Sequence, residues 1–282
     1  MALAGRKIDT AHESHYAFQR GFPSDDTIRQ SYDDADLSRA VLAYKFFYPT
    51  VSGAAIVRGN AQIGVVPNKV FGILDCGPQQ LVFTANSDTV YGPMMLDLRV
   101  GPLVVELQPG PLMVVAMDIN QRWVADMGLP GFDAGNGGRH LLLPPSYKGD
   151  VPKSGYYVHR ASSNHLIVGA RSLPVNGDVK AAKERLTTLK VYPLDPATSW
   201  IQPKWLDVTG KAQDTTPLDW EDNFEYWEVL AKTVDEEPAY PGYRDYYGEL
   251  AALGIEKGRP FRPDIRMRRI LEEAARVGNA QM

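Results

Sequence analysis

The sequence has few features that identify a compartment or a covalent scaffold. Of its 282 residues only Cys76 is a cysteine, so no internal disulfide can form. The N-terminal segment has no apolar stretch of the kind found in a secretion signal. The longest uninterrupted apolar run, residues 112–117, is far below the roughly 20 residues that cross a bilayer. We therefore expect a cytoplasmic protein with no transmembrane segment and no membrane partner.

An excess of basic residues is also missing. The chain has 30 Lys and Arg against 34 Asp and Glu, a formal net charge of −4. Neutralising the phosphates of nucleic acid requires the opposite balance. Nucleic acid is therefore not expected as a partner.

Standard catalytic and cofactor motifs are absent too. The chain has no Gly-x-Ser-x-Gly elbow and no phosphate-binding loop, and its glycine-rich residues 135–138 precede a strand, whereas a dinucleotide fingerprint follows one. Cys76 lies in an Asp-Cys-Gly-Pro turn with no base nearby in the chain, which is typical of a small buried side chain. We expect no cofactor.

The 5 histidines show no metal-binding spacing. His12 and His15 match neither zinc helix motif. His159 and His165 flank residues 161–164, and a hairpin around these loop residues would place Arg160 opposite His165. Because a neighbouring guanidinium disfavours a cation, we expect no metal site.

What the chain does have is the composition of a folded, loop-rich protein, with 44% hydrophobic residues, 23% charged residues, 25 Gly and 21 Pro. From about residue 60 to residue 171, short runs rich in Val, Leu, Ile and Tyr are separated by Gly, Pro, Asn and Asp. The candidate strands are 80–84, 90–98, 103–107, 112–119, 140–143, 156–160 and 165–171. Their spacing predicts a mainly β protein with peripheral helices (α+β), built on a jelly-roll-like β-sandwich.

Helices are predicted on both sides of this β body. Ser24 precedes two acidic residues, and apolar residues then recur every three to four positions, which predicts two consecutive helices. Pro49 is expected to break or kink the second of them. Helical spacing in the tail covers 178–189, 223–234, 245–253 and a last helix capped by Asp264. The predicted organisation is a helical segment (1–59), a β-sandwich body (60–175) and a helical, loop-rich extension (176–282).

The last helix carries one apolar stripe, formed by Met267, Ile270, Leu271, Ala274 and Val277. No other part of the tail is shaped to cover this stripe. We therefore expect a partner surface, provided by a second copy in a homo-oligomer or by a partner domain.

A polar cluster, Asn86-Ser87-Asp88-Thr89-Val90-Tyr91, lies between two β-forming runs. One interpretation is a turn, because Asn, Ser and Asp hydrogen-bond their own backbone. The other is a pocket, since strand alternation puts Tyr91 on a mixed polar and apolar face. In the second interpretation Asp88 accepts a proton or hydrogen bond, Tyr91 donates one, and Asn86 and Thr89 bind the ligand.

Polar and aromatic residues also collect where strand 112–119 ends: Asp118, Asn120, Gln121, Arg122 and Trp123. Rigid strands position the loops at their ends, so such places commonly carry ligand contacts. Arg122 would then act on an anionic or hydroxylated group, with Asp118, Gln121 and Trp123 binding the ligand. The alternative is an ion pair of Arg122 with Asp118 or Asp126 under a packed Trp123. If strands 90–98 and 112–119 are adjacent and antiparallel, the two clusters share one rim.

Several separated motifs point to a family. They are Asn86-x-Asp88-Thr89-x-Tyr91, Asp97-Leu98-x-x-Gly101-Pro102, Gln121-Arg122-Trp123, Leu141-Leu142-Leu143-Pro144-Pro145-x-Tyr147-Lys148-Gly149 and Lys190-x-Tyr192-Pro193-Leu194. In this order they resemble the family called domain of unknown function 1254, over about residues 32–278. The resemblance implies a β jelly roll with peripheral helices, usually followed by a second β domain, called domain of unknown function 1214, as the partner domain. No catalytic residues come with the family.

Three functions remain open at this stage. Convergent Asp, Arg, Tyr and Trp groups near strand ends favour an enzyme that acts on a small polar organic molecule. The expected partner is then a small-molecule ligand. The same side chains could instead bind a carbohydrate or an organic acid without catalysis. A structural or assembly subunit is the third possibility, because one fold hosts many activities.

Overall fold

The structure is a computed structural model that describes residues 16–77, 85–212 and 224–282. Within these ranges the helices are α1 (Asp25–Gln62), α2 (Val179–Leu186), α3 (Glu225–Glu236), α4 (Arg244–Ala252) and α5 (Ile265–Gln281). The strands are β1 (Phe18–Gln19), β2 (Phe22–Pro23), β3 (Val70–Asp75), β4 (Val90–Asp97), β5 (Leu103–Leu107), β6 (Leu112–Asp118), β7 (Trp123–Gly128), β8 (Gly138–Leu143), β9 (Tyr157–Arg160), β10 (His165–Ser172), β11 (Lys190–Pro193) and β12 (Lys204–Asp207). The predicted strand 80–84, together with His12 and His15, lies outside the described residues.

Two large open sheets form most of the β part of the described chain, and β1 and β2 form a separate two-stranded sheet. The larger has six strands in the order β12-β3-β4-β10-β6-β7, and the smaller has four in the order β11-β5-β8-β9. Most neighbours are antiparallel, but β12 pairs with β3 and β9 pairs with β8 in parallel. Apolar side chains from both sheets, with those of α2, build one shared core. The fold is therefore mixed α+β, and jelly-roll connectivity stays a prediction.

Strand β4 shows how alternation builds two layers. Val90, Met94 and Leu96 enter the core between the sheets. Tyr91 and Met95 point to the opposite face, where they pack with apolar residues from the end of α1. Successive side chains of a strand alternate between its faces, so the predicted division of this strand is confirmed. Ile56 and Val57 of α1 cover the second face at Tyr91 and Met95.

Inside the described ranges, the predicted strands and the four predicted helices of the tail form, with ends shifted by a few residues. Ser24 and Asp264 cap α1 and α5 as expected, each accepting a hydrogen bond from a backbone N–H three residues later. Six strands were missed: β1, β2, β3, β7, β11 and β12. Their runs are short, and β11 and β12 lie at sheet edges in a tail that reads as loop.

The N-terminal segment forms one helix where two were predicted. α1 runs through Pro49 without interruption. A proline removes one backbone hydrogen bond and crowds the preceding turn. The next residues, Thr50 and Gly53, are held against the turn between β6 and β7, and α1 also packs on α3, α4 and α5. These tertiary contacts offset the local cost, so the expected break does not occur.

A second core lies among the helices. Tyr44, Phe47 and Val51 of α1 pack with Trp227 of α3 and with Leu271 of α5. By length and composition alone α1 could cross a membrane, and 44% of its most apolar 18-residue window is buried inside the structure.

The apolar stripe of α5 is covered by this chain. Leu271 and Ala274 are buried in the helical core, and Gly278 lies so close to the Tyr44 ring that a Cβ there would be 2.4 Å from it. The expectation that nothing in this chain covers the stripe is wrong, because α1 packs on it. A homo-oligomer or a partner domain stays a prediction.

The hairpin predicted around residues 161–164 is also wrong. β9 pairs with β8 in the four-stranded sheet, while β10 pairs with β4 and β6 in the other sheet. The chain therefore changes sheets at this loop. His165 lies opposite Asp97, and the predicted neighbour Arg160 instead donates hydrogen bonds to the carbonyls of Pro144 and Tyr147.

Candidate functional site

Polar side chains gather at one end of the six-stranded sheet, where β4 and β6 end and β10 begins. In the strand register, Asp97 faces His165 and Asp118 faces Leu166. The loop before β10 is tied to this end by Ser163, whose Oγ accepts a hydrogen bond from the Ile119 N–H at 2.9 Å. Three strand ends thus present ionisable groups to the helices that pack beside them.

His165 and Glu237 form the most distinctive pair at this end. His165 Nδ1 lies 2.5 Å from Glu237 Oε1. The same carboxylate accepts hydrogen bonds from the backbone N–H groups of Asn164, at 2.6 Å, and of His165, at 3.1 Å. Glu237, the residue that caps the end of α3, is 6% exposed. A nearly buried carboxylate therefore orients the imidazole.

The other imidazole nitrogen faces a guanidinium. Arg99 Nη2 lies 3.1 Å from His165 Nε2, and Arg99 is itself bound at two positions by Asp97, at 2.9 Å and 2.6 Å. Since a guanidinium N–H can only donate, Nε2 accepts here and Nδ1–H donates to Glu237. Arg99 must be displaced before His165 takes up a second proton at Nε2.

The pKa directions agree with this arrangement. The hydrogen bond to Glu237 raises the pKa of His165 by more than burial lowers it, and Arg99 opposes the rise. Burial alone would raise the pKa of Asp97, but its hydrogen bonds from Arg99 outweigh burial and lower it. His165 is thus a base whose pKa lies above its ordinary value, next to a carboxylate that stays ionised.

A cavity of about 470 Å³ adjoins the pair. His165 and Glu237 are among the residues that line it. Its apolar lining comes from α1, α3 and the sheet end, and consists of Ala54, Val57, Ala61, Pro67, Ile119 and Val229. Charged groups, Arg58, Glu225, Glu228, Lys232 and Glu236, also line it. This volume and mixture suit a small organic ligand.

The second sequence cluster lies at the same sheet end and is largely structural. Asp118 is fully buried, accepts a hydrogen bond from the Arg122 N–H at 2.8 Å and binds the Ser162 hydroxyl. The Arg122 guanidinium is 4.0 Å from Asp118, donates to the Tyr240 hydroxyl at 2.7 Å and lies over the Tyr240 ring. This geometry favours the ion-pair interpretation, although Trp123 is 61% exposed and not packed over the pair.

The turn between β6 and β7 docks on α1. Gln121 has a positive φ of 57° and donates a side-chain hydrogen bond to the Pro49 carbonyl at 2.9 Å. Thr50 donates to Asn120 at 2.8 Å in a buried position. A Cβ at Gly53 would lie 2.1 Å from the Ile119 carbonyl oxygen, so the two backbones are in direct contact. Gln121 therefore acts here as an anchor of the turn.

The first sequence cluster lies elsewhere. β10 runs between β4 and β6, which makes those two strands parallel and puts Val90 level with Leu112 at the opposite sheet end from Asp118. The expectation that the two clusters share one rim is wrong for this reason. Asn86 accepts hydrogen bonds from the Asp88 N–H and from the Thr89 hydroxyl, as in a turn. The functional roles of Asp88 and Tyr91 stay predictions.

Two other histidines, His140 of β8 and His159 of β9, form a buried pair in the four-stranded sheet. His140 Nδ1 lies 3.2 Å from His159 Nε2, and His140 Nε2 lies 3.2 Å from the buried Asp133. Burial lowers the pKa of both histidines, that of His159 to about 4. Within residues 16–77, 85–212 and 224–282, no group of three His, Cys, Asp or Glu side chains is arranged to hold a metal ion.

Sequence reasoning considered His165 only as a metal ligand, which it rejected, and it missed the partner Glu237. Glu237 is 72 residues away along the chain, and one carboxylate at a helix end carries no signal in a single sequence. The only available indication was an acidic residue placed just after a predicted helix, where the helix dipole disfavours it. A carboxylate in that position suggests that something positive or hydrogen-donating lies nearby.

Comparisons with known proteins identify a family and a fold but no activity. No curated protein matches the chain. The fold is similar to that of the VPA0106 protein from Vibrio parahaemolyticus, with a TM-score of 0.65 and 16% sequence identity over 87% of this chain and 58% of that one. An uncharacterized protein from Burkholderia cenocepacia has a TM-score of 0.25 and 10% identity over 88% of this chain and 58% of that one, which carries no argument about the fold. This chain spans less than two thirds of the length of both.

The family model described as protein of unknown function (DUF1254) matches residues 71–193. This segment contains β3 to β11 and both sequence clusters, and the expected resemblance is thereby confirmed. The chain is therefore similar to the DUF1254 family over residues 71–193.

Proposed function

We propose that this chain is an enzyme that binds a small organic molecule in the cavity beside His165 and uses His165 for proton transfer. One observation carries the proposal: His165 is held 2.5 Å from the nearly buried Glu237, and both residues line a cavity of about 470 Å³. An oriented imidazole with a carboxylate on one nitrogen is the usual arrangement of a general base.

Glu237 has two effects in this proposal. It fixes the tautomer, with the proton on His165 Nδ1 and the lone pair on Nε2, and it stabilises the imidazolium once Nε2 has taken a proton. In the free protein Arg99 Nη2 donates a hydrogen bond to His165 Nε2, at a distance of 3.1 Å. A carboxylate or carbonyl oxygen of the substrate would draw the guanidinium away from Nε2 and free the base.

The lining of the cavity suggests the substrate class. Val57, Ile119 and Val229 offer an apolar surface, whereas Arg58 and Lys232 offer charge. A compound with a short apolar body and one acidic or carbonyl group would satisfy both parts. The sequence-predicted catalytic residue Arg122 belongs to the neighbouring ion pair, and we propose that it positions the turn after β6.

The test compares variants of the His165–Glu237 pair with a variant of the His140–His159 pair. Wild-type protein is incubated with mixed libraries of small carboxylic acids, esters and ketones, and turnover is followed by mass spectrometry. His165→Gln and Glu237→Gln should each reduce turnover by about 10²–10⁴-fold. His159→Gln changes a histidine outside the cavity and serves as the matched control.

Two outcomes would contradict the proposal. Turnover that survives His165→Gln would remove His165 from the chemistry. Ligands that bind in the cavity without ever being converted would favour the non-catalytic binding module instead. Circular dichroism of each variant separates either outcome from unfolding.

A further inference from the structure

The outer face of the four-stranded sheet carries a row of charges. In the register of β11, β5 and β8, Lys190 lies opposite Glu106 and Glu106 lies opposite Arg139. Side chains directly opposite one another on a sheet are close neighbours. Even so, within the described part of the chain none of the three makes an ion pair within 4.0 Å.

Glu106 is used by a tyrosine. Its Oε2 accepts a hydrogen bond from the Tyr192 hydroxyl at 2.6 Å. Burial and this hydrogen bond raise the pKa of Tyr192, so the phenol remains a donor. The carboxylate keeps acceptor capacity on its other oxygen, because an ionised carboxylate offers about four lone-pair positions.

Arg139 is held by an aromatic ring and not by an acid. Its guanidinium carbon lies 4.7 Å above the centre of the Tyr156 ring. Gly155 has a φ of +83°, and a Cβ there would lie 3.0 Å from Arg139 Nη2, so glycine leaves room for the guanidinium. Among the described residues, Arg139 donates no side-chain hydrogen bond to protein. Its planar set of donors is available to a ligand.

Glu106, Arg139 and Tyr156 line a depression of about 590 Å³. Its other lining residues are Leu107, Gly137, Gly138, Gly155 and Tyr157. Beside it on the same face of the sheet lies an apolar cluster of Val104, Leu141 and Leu143, bordered by Tyr147, Tyr156 and Tyr192. The surface thus places a carboxylate acceptor and a guanidinium donor side by side, next to an apolar and aromatic cluster.

The charges select among ligand classes. An anion would be repelled by Glu106, and a cation would be repelled by Arg139 and Lys190. Neighbouring hydroxyl groups meet neither penalty, because each hydroxyl donates to the carboxylate and accepts from the guanidinium. The apolar face of a sugar ring also suits a tyrosine-rich surface. We propose that this depression is a binding site for a neutral sugar, separate from the His165 cavity and independent of its chemistry.

The experiment uses the whole chain and nuclear magnetic resonance. Amide resonances are followed while glucose, N-acetylglucosamine or cellotriose is added to millimolar concentration, with inorganic phosphate and spermidine as anionic and cationic probes. At least one neutral sugar should shift the resonances of β5 and β8 around Glu106 and Arg139. Phosphate and spermidine should leave those resonances unchanged.

Variants then test the named groups. Glu106→Gln and Arg139→Gln should each weaken sugar binding by about tenfold or more, since each removes a charged hydrogen-bond partner. Arg139→Lys keeps the charge but loses the planar fork, so it should weaken binding as well. Arg171→Gln is the matched control, because Arg171 lies 4.9 Å over the Tyr91 ring on the other sheet, and it should leave binding unchanged.

Several results would overturn the proposal. The first is the absence of any shift at β5 and β8 with all three sugars, and the second is sugar binding that survives both Gln variants. The third is a wild-type protein that binds phosphate here but no sugar, and that loses phosphate binding in Arg139→Gln. The wild-type titration decides the first point even if a variant fails to fold.

Discussion

His140 Nδ1 lies 3.2 Å from His159 Nε2, between two nearly parallel rings on adjacent strands of the four-stranded sheet. A hydrogen bond of this length needs one donor and one acceptor. It therefore requires at least one of the two facing nitrogens to be unprotonated. If both histidines were protonated, two N–H groups would face each other in a buried place.

This pair predicts a loss of stability in mild acid. The folded-state pKa of His159, about 4 because of burial and the charge of His140, lies below the ordinary value of 6.5. Between those values the unfolded chain binds more protons than the folded chain, so the free energy of unfolding falls as the pH falls through this window. We expect a loss on the order of 1–3 kcal/mol from pH 7 to pH 4.

Urea unfolding of wild type and of His159→Gln at pH 7, 6, 5 and 4.5 measures the effect. The raised pKa of His165 acts in the opposite direction but is common to both proteins, so it cancels in the comparison. The variant should lose less stability than the wild type over this range. Equal slopes in the two proteins would show that the pair has no such role.

Glu237 is expected to matter far more than its neighbour Glu236. Glu237→Ala removes the acceptor of two backbone N–H groups and of His165, which should lower the free energy of unfolding by about 2–4 kcal/mol. Glu236 is exposed and lies 3.8 Å from Lys232 in a surface pair. Glu236→Ala should therefore change stability by about 0.5 kcal/mol or less. Thermal unfolding checks both, and similar losses in the two variants would speak against the hydrogen bonds described for Glu237.

Two helical glycines test the contact between α1 and the turn after β6. Gly53→Ala would place a Cβ 2.1 Å from the Ile119 carbonyl oxygen, so we expect a loss of about 2–4 kcal/mol. Gly248 in α4 has open space around it. Gly248→Ala should leave stability unchanged or raise it by about 0.5–1 kcal/mol through helix propensity. Denaturant midpoints decide the matter, and a neutral Gly53→Ala would mean that this contact is looser than described.

Two sequence-predicted site residues, Asp118 and Asp88, should behave differently. Asp118→Ala removes the buried acceptor of the Arg122 N–H and of the Ser162 hydroxyl, which should cost about 2–4 kcal/mol. The Asp88 side chain is exposed in a turn organised by Asn86, so Asp88→Ala should cost about 0.5 kcal/mol or less. Thermal shift and cavity-ligand screening are run on both. A ligand whose binding is lost in Asp88→Ala at unchanged stability would restore the pocket interpretation of the first cluster.

Much of the local structure could be predicted because it depends on neighbours in sequence. The alternation of Val90, Met94 and Leu96 against Tyr91 and Met95 identified two faces of one strand. Ser24 and Asp264 identified two helix starts, since a cap bonds only three residues ahead. The family motifs located the β region that matches DUF1254.

The pairing of strands and the continuity of helix α1 could not be predicted in this way. Alternation marks the face of each strand but not its neighbour, so nothing in the chain showed that β10 lies between β4 and β6 or that β9 joins the other sheet. Pro49 shows the same limit for helices. Local chemistry predicts a break there, whereas contacts from residues about 70 positions away hold the helix together.

The sequence by itself determined the classes of structure and the candidate groups: strand faces, helix caps, a family, and His165 as an isolated histidine. Only the tertiary structure decided which groups meet. It brought Glu237 to His165, separated Asp88 from Arg122, and covered the stripe of α5 with α1. The physical reason is that hydrogen bonds and burial act over a few ångströms in space. Residues 72 positions apart become neighbours only when the two cores pack together.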